Sequence, residues 1–403
     1  MSWIKNVLIE TGREEVTPNN IVTKTKLVSM YIENGLIKQI TDTVPSDADG
    51  VVDAKGYLAV PSLGDRHIHL DKGHFGGNWQ AVVPMRSVAD RIVEEQGFLR
   101  DFLADTPKKA QALIDLLTSN GATFLRVQVN VDPTIGLDNL IVIREVLKKN
   151  KDKLDYEIVA FPQHGTLITE EQGLLSKALE EEGVSILGGV DPATIDTDIE
   201  KSLKTTFELA SKYNKEVDIH LHDHGSLGIF EINRIIEYTH SYQLQGKVRI
   251  SHALALGHIS GNALDDVARR LKQADIEIHT TVPVGSQALS IPVLRSHGVK
   301  VHAISDCIND HWSPFGSGDL IQRASRAAEV FGMSSEVALS RALGLVTDGV
   351  TPLDDEGKQV WPMVGHKANI LFAKAESSAH LVARICPERV VLFNGEFVSG
   401  EFK

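Results

Sequence analysis

Apolar and polar positions change along this chain in two rhythms. Up to about residue 58 the rhythm is that of strands, with apolar runs at 4–9, 26–33, 36–40 and 51–60 and Asn34-Gly35 set between two of them as a hairpin turn. The far end repeats it: strand-like runs at 368–373 and 389–393 are followed by Asn394-Gly395. Both ends are therefore expected to pair into one small β-unit at the flank of the middle of the chain.

Between the ends, short apolar runs alternate with stretches of helical spacing. The runs lie at 58–69, 123–130, 156–163, 185–191, 217–222, 247–252, 276–282 and 300–306; helical stretches cover 87–104, 108–119, 138–149, 169–181, 195–213 and 230–242. Eight strands alternating with helices predict an α/β fold, a (β/α)₈ barrel. A barrel takes about 250 residues, and the chain has 403. The expected division is a catalytic barrel over 59–363 and a small β-sandwich built from 1–58 plus 364–403.

Composition narrows the function. A net charge of −13 argues against nucleic acid or an anionic membrane as partner, because phosphate surfaces need clustered Lys and Arg. The expected partner is a small substrate that is neutral or held by a metal; a homo-oligomer stays compatible. The two cysteines, Cys307 and Cys386, cannot build a zinc cage, so a metal would need His and carboxylates, and sixteen His are present. No apolar run approaches the ~18 residues that cross a bilayer, and the opening residues lack a signal-like core. A cytoplasmic, reducing location is expected.

Polar residues fall where a barrel keeps its chemistry, at the C-terminal ends of strands. The first run ends Asp65-Arg-His-Ile-His-Leu-Asp-Lys72; alternate strand positions point the same way, so His67 and His69, about 7 Å apart along the backbone, can close on one ion. Alone, such a pair is more often two core or surface histidines. The fifth run ends His220-Leu-His-Asp-His224, and three alternate histidines are hard to explain by packing, since each buried ring needs partners for its nitrogens. The sixth ends in Ser251-His252 and the eighth in Ser305-Asp306, adding a proton carrier and a carboxylate. Singly each is ordinary; together they predict a metal site.

At these residues the chain resembles the amidohydrolase superfamily and, within it, the cytosine deaminase branch. The resemblance spans nearly the whole length and rests on His67-Ile-His-Leu-Asp71, Phe161-Pro-Gln-His-Gly165, Ser251-His-Ala253 and, most distinctive, Ser305-Asp-Cys-Ile-Asn-Asp-His-Trp-Ser-Pro-Phe-Gly316. It implies that His67, His69, His220 and Asp306 hold one divalent metal per chain, zinc or iron with manganese a further candidate. It also implies that His252 steers the activated hydroxide and that Gln163 touches substrate. Where cytosine deaminases carry a glutamate three residues after the strand-five histidine, this chain has the shorter Asp223. Lys72, Asp191 and the His220-Leu-His-Asp223 pattern are similar instead to the N-isopropylammelide isopropylaminohydrolases, which remove an alkylamine from a triazine ring.

The expected enzyme is a mononuclear metal-dependent amidohydrolase that uses metal-activated hydroxide to release ammonia or an amine from a pyrimidine- or triazine-like ring. Asp306 would carry the water proton toward the leaving nitrogen and His252 would bond the developing oxyanion. Lys72 would offset charge on a ring atom, unless it is a solvated loop residue. Asp191 would accept a ring N–H or cap a helix. Asp223 is a candidate proton carrier and His222 a candidate substrate contact, unless with His224 they orient His220; Trp312 would wall the pocket. The rivals are a ring-opening cyclic-amide hydrolase, whose binuclear relatives usually need a carboxylated lysine where the fourth strand here offers Asp191, and a decayed small-molecule-binding barrel, against which all four ligands stand.

Overall fold

The computed structural model describes residues 2–285 and 288–403. Its central sheet is β1 (Leu63–His69), β2 (Ala122–Asn130), β3 (Asp155–Phe161), β4 (Val184–Val190), β5 (Glu216–Leu221), β6 (Val248–His252), β7 (Glu277–Thr280) and β8 (Val301–Ala303), adjacent in chain order. Every neighbouring pair is parallel. The ring closes just past β8: Ile68 bridges Asp306, the Asp306 amide donates to the His67 carbonyl at 2.9 Å, and the His69 amide donates to the Asp306 carbonyl at 3.2 Å.

On β2, Leu125, Val127 and Val129 belong to the main apolar core, whereas the alternate residues Arg126 and Gln128 reach Asp218 of β5. One face of each strand thus packs on the helices while the other lines a polar bore. Helices fall close to the expected stretches. The stretch 87–104 divides at Gly97 into Val88–Gln96 and Leu99–Leu103, the first started by Ser87, whose side chain accepts from the Asp90 amide. No helix among the described residues is long and apolar enough to cross a membrane.

The two chain ends build one mixed sheet in the order Glu396–Ser399, Arg389–Phe393, Ile370–Ala373, Leu58–Pro61, Ser2–Thr17, Asn20–Glu33, Leu36–Thr41, with Val52–Asp53 beside Ser2–Thr17. Ile4, Met30, Ile37, Phe372 and Leu392 form its core. Two details differ from the pattern reading. The first hairpin continues to the Thr17–Asn20 pair through mostly exposed residues without apolar alternation. The run 58–69 is two strands, since Leu58–Pro61 pairs with Ile370–Ala373 in the end sheet before Leu63 enters the barrel; Pro61-Ser62 marks the switch in the sequence.

Candidate metal centre

One donor atom each from His67, His220, His252 and Asp306 lies within 4.8 Å of the other three. His69 joins them from the alternate position of β1: its Nε2 is 3.4 Å from Asp306 Oδ1 and 3.4 Å from His220 Nε2, and His67 Nε2 is 3.3 Å from the same Oδ1. Two donors about 2.0–2.1 Å from one ion on tetrahedral directions are themselves about 3.3–3.4 Å apart. These three spacings are edges of such a tetrahedron. A divalent cation fits this set, and His67 Nε2, buried and without a hydrogen-bond partner among the described residues, is what a ligand nitrogen looks like when its partner is an ion.

Protonation suits the same purpose. Burial, with Lys72 adding to it, pushes His69 down to about 3, and burial with the other histidines pushes His220 and His252 far down. These rings are neutral and keep a lone pair. Burial works against the Asp306 carboxylate, yet His252, His67 and His69 hold it well below the usual carboxylate range. Neutral imidazoles and an ionised carboxylate are the forms that ligate.

The supporting residues fix tautomer and ring position. Ser251 Oγ donates to Asp218 Oδ1 at 2.7 Å, so at 2.8 Å it accepts from His67 Nδ1, leaving Nε2 as the lone-pair nitrogen. The Phe161 ring stacks on His220 at 4.0 Å between centroids and 20° between planes. Gly188 makes room for it, because a Cβ there would come within 3.1 Å of Phe161. His279 and Asp218 form a second group of possible donors with His67, but Asp218 is already taken by Ser251 and Gln128. Asp191, His252 and Asp306 all have positive φ, at 32°, 68° and 61°. Non-glycine residues held in left-handed conformations cost on the order of 1–3 kcal/mol each and gather at functional sites.

Lys72 is 1% exposed and not the solvated loop residue it could have been. Its Nζ donates to Gln163 Oε1 at 2.5 Å and to Asn130 Oδ1 at 3.4 Å, and pairs with Glu95 Oε2 at 3.6 Å. Burial lowers its pKa, but Glu95 and Asp71 together raise it above the ordinary lysine value, so it is an ammonium. Trp312 lies against it, the ring centroid 5.3 Å from Nζ, and its indole Nε1 donates to Glu95. Glu95, which was not anticipated from sequence, thus ties Lys72, Asn130 and Trp312 together. Its signal is a charge four residues from both Arg91 and Leu99, on the buried face with Ile92.

Across the cluster, Asp191 grips His222 twice: Oδ1 accepts from its amide at 2.6 Å and Oδ2 lies 2.8 Å from Nδ1. Burial opposes protonation of His222, but Asp191 raises its pKa above the ordinary value. The His222 ring stacks on His252 at 4.3 Å. Asp223 is the residue the structure does not bring to the cluster. Thr194 donates to its Oδ1, and it stands beside Glu231, because the chain turns outward there to begin helix Gly225–Ser241. His224 stacks on His258 instead, at 5.1 Å.

A closed eight-stranded barrel with three histidines and an aspartate meeting at its strand ends defines a metal-dependent hydrolase. The chain belongs to the amidohydrolase family, whose sequence profile it matches over residues 110–391. It is 37% identical over 403 residues to the uncharacterized protein YahJ of Escherichia coli (strain K12), covering 99% of this chain and 87% of that protein. It is 28% identical over 362 residues to N-isopropylammelide isopropyl amidohydrolase of Pseudomonas sp. (strain ADP), covering 86% and 87%. Among solved structures, N-isopropylammelide isopropylaminohydrolase of Burkholderia multivorans is similar with a TM-score of 0.86 at 29% identity, covering 99% of this chain and 98% of that one.

Proposed function

We propose that this chain is a mononuclear aminohydrolase that releases an amine or ammonia from a triazine- or pyrimidine-like ring, with zinc or iron as its metal. The observation that carries the reading is the set of 3.3–3.4 Å spacings among His67, His69, His220 and Asp306. The similarity to two N-isopropylammelide hydrolases supports the triazine side. So does the turning away of Asp223, since the position that carries glutamate in cytosine deaminases is here engaged with Thr194.

A divalent cation held by these four residues supplies the Lewis acidity that makes water a nucleophile near neutral pH. Asp306, ionised and 21% exposed at its side chain, takes the water proton. His252, kept neutral by burial, hydrogen-bonds the attacking oxygen. Lys72, fixed by Gln163 and Glu95, offsets charge on a ring oxygen or nitrogen. His222, whose pKa Asp191 raises against the effect of burial, is placed to hold a proton for the leaving nitrogen. The test is a side-by-side assay of N-isopropylammelide, ammelide and cytosine. Turnover of an ammelide above cytosine is the expected result; a preference for cytosine would overturn the triazine side.

A further inference from the structure

Beside Asp306, between the loops that follow β7 and β8, lies a recess of about 650 Å³. Ser305 and Asp306 line it, with Val284 and Phe315 from the two loops and Arg323 and Arg326 from helix Leu320–Val330. We propose that this recess is a carboxylate subsite, so that the ring substrate carries a substituent ending in a carboxylate that docks on Arg326 beside Arg323. The inference rests on the aminohydrolase reading and deepens it.

Arg323 is 9% exposed and fixed in place: its Nη1 donates to the Thr281 carbonyl and its Nη2 to the Ser305 carbonyl, each at 3.1 Å. Carbonyls orient a guanidinium without neutralising it. Among the described residues no carboxylate lies within 4.0 Å of either Arg323 or Arg326, whereas Arg341 and Arg389 nearby in the chain pair with Asp355 and Asp319. Burial disfavours the Arg323 charge, and Arg326 one turn away adds to that. The acids that face Arg323 favourably are Asp65 and Asp306. Asp65 accepts from the His67 and Ser305 amides, and Asp306 belongs to the metal set. Asp65 stays as the buried counter-charge of Arg323; once a cation holds Asp306, Arg326 is left on the recess wall with no carboxylate of the described residues within 4.0 Å.

Arg326 is only part-buried, so a ligand can reach it, and a carboxylate matches the guanidinium fork in shape and charge. Loops after strands seven and eight are also where barrels commonly hold anionic groups. Val284 and Phe315, 70% and 77% exposed, give the mouth apolar walls for the methylenes of such a substituent. The net charge of −13 is no objection, since it sums the whole surface and not one recess.

The experiment compares the metal-loaded protein with Arg326→Gln and Arg326→Lys on N-carboxymethylammelide and neutral N-ethylammelide, and measures binding of labelled acetate by equilibrium dialysis. The kcat/KM ratio of carboxylate to neutral substrate should favour the carboxylate, fall at least about tenfold in Arg326→Gln and recover in part in Arg326→Lys. Acetate should bind more weakly to Arg326→Gln; any acetate on the metal is common to all three proteins. An unchanged ratio and unchanged acetate binding would overturn the subsite. If no ring is hydrolysed by the wild type, the aminohydrolase reading fails, and the acetate difference still judges the subsite by itself.

Discussion

Asp306 and His67 are joined twice, by an amide-to-carbonyl hydrogen bond of 2.9 Å and by an approach of 3.3 Å between Oδ1 and Nε2. The first contact closes the barrel and the second is an edge of the proposed metal site, so barrel closure brings these two candidate ligands together. On that proposal metal binding is coupled to folding. Chelation should lower the melting temperature of the wild type by at least about 3 °C and leave that of Asp306→Asn nearly unmoved. An equal drop in both proteins would place the metal elsewhere.

The double grip of Asp191 on His222 predicts a defect that depends on the leaving group. Asp191→Asn keeps the shape and removes the charge that raises the His222 pKa. It should reduce kcat for an alkylamine-bearing ring by about 10²-fold and much less for the same ring bearing a chloride, which needs no proton to leave. Equal losses on both rings would reduce Asp191 to a structural clamp.

Glu95 can be tested through Lys72. Glu95→Gln retains an acceptor for Trp312 and removes the counter-charge of a buried ammonium. Because Glu95 is the foremost of the groups that hold the Lys72 pKa up, the substitution lowers that pKa, and the alkaline limb of the kcat/KM profile should move to lower pH. A fixed limb would mean that Lys72 is not sensed by the reaction.

Glu231 makes a prediction about stability. Burial, with Asp223 nearby, pushes its carboxyl up to about 8 from the ordinary 4.5. Between those values the folded protein binds more protons than the unfolded chain, so this residue makes stability fall as pH rises through that window and adds no slope above it. Glu231→Gln should match the wild type near pH 5 and exceed it by a few kcal/mol, on the order given by ~1.4 kcal/mol per pKa unit, near pH 8.5. Parallel stability curves would mean that Glu231 is ionised in the folded state.

What the sequence disclosed follows from which contacts are local. His67 and His69 lie two residues apart on one strand, so the period of the strand displays their pairing. Asp306 could be placed by strand order, because a barrel brings its eighth strand end back to its first. For Glu95 the sequence offered only its place on the buried helix face with Ile92; the partners that give it a role lie 35 and 217 residues away. Asp223 was a candidate proton carrier by its place after the strand-five histidines, but alternation sets it with Leu221 on the face opposite His220 and His222, and just past the strand it is engaged by Thr194. Likewise, a charge of −13 could not show an arginine without a carboxylate partner lining a recess beside Asp306.

The central claim, one cation held by His67, His69, His220 and Asp306, is met most directly by metal analysis of the purified wild type and of Asp306→Ala, with amine release from an ammelide measured on the same samples. About one zinc or iron per wild-type chain with turnover is expected, and loss of both in the variant. Full metal content in Asp306→Ala, or turnover by protein that carries no metal, would contradict it.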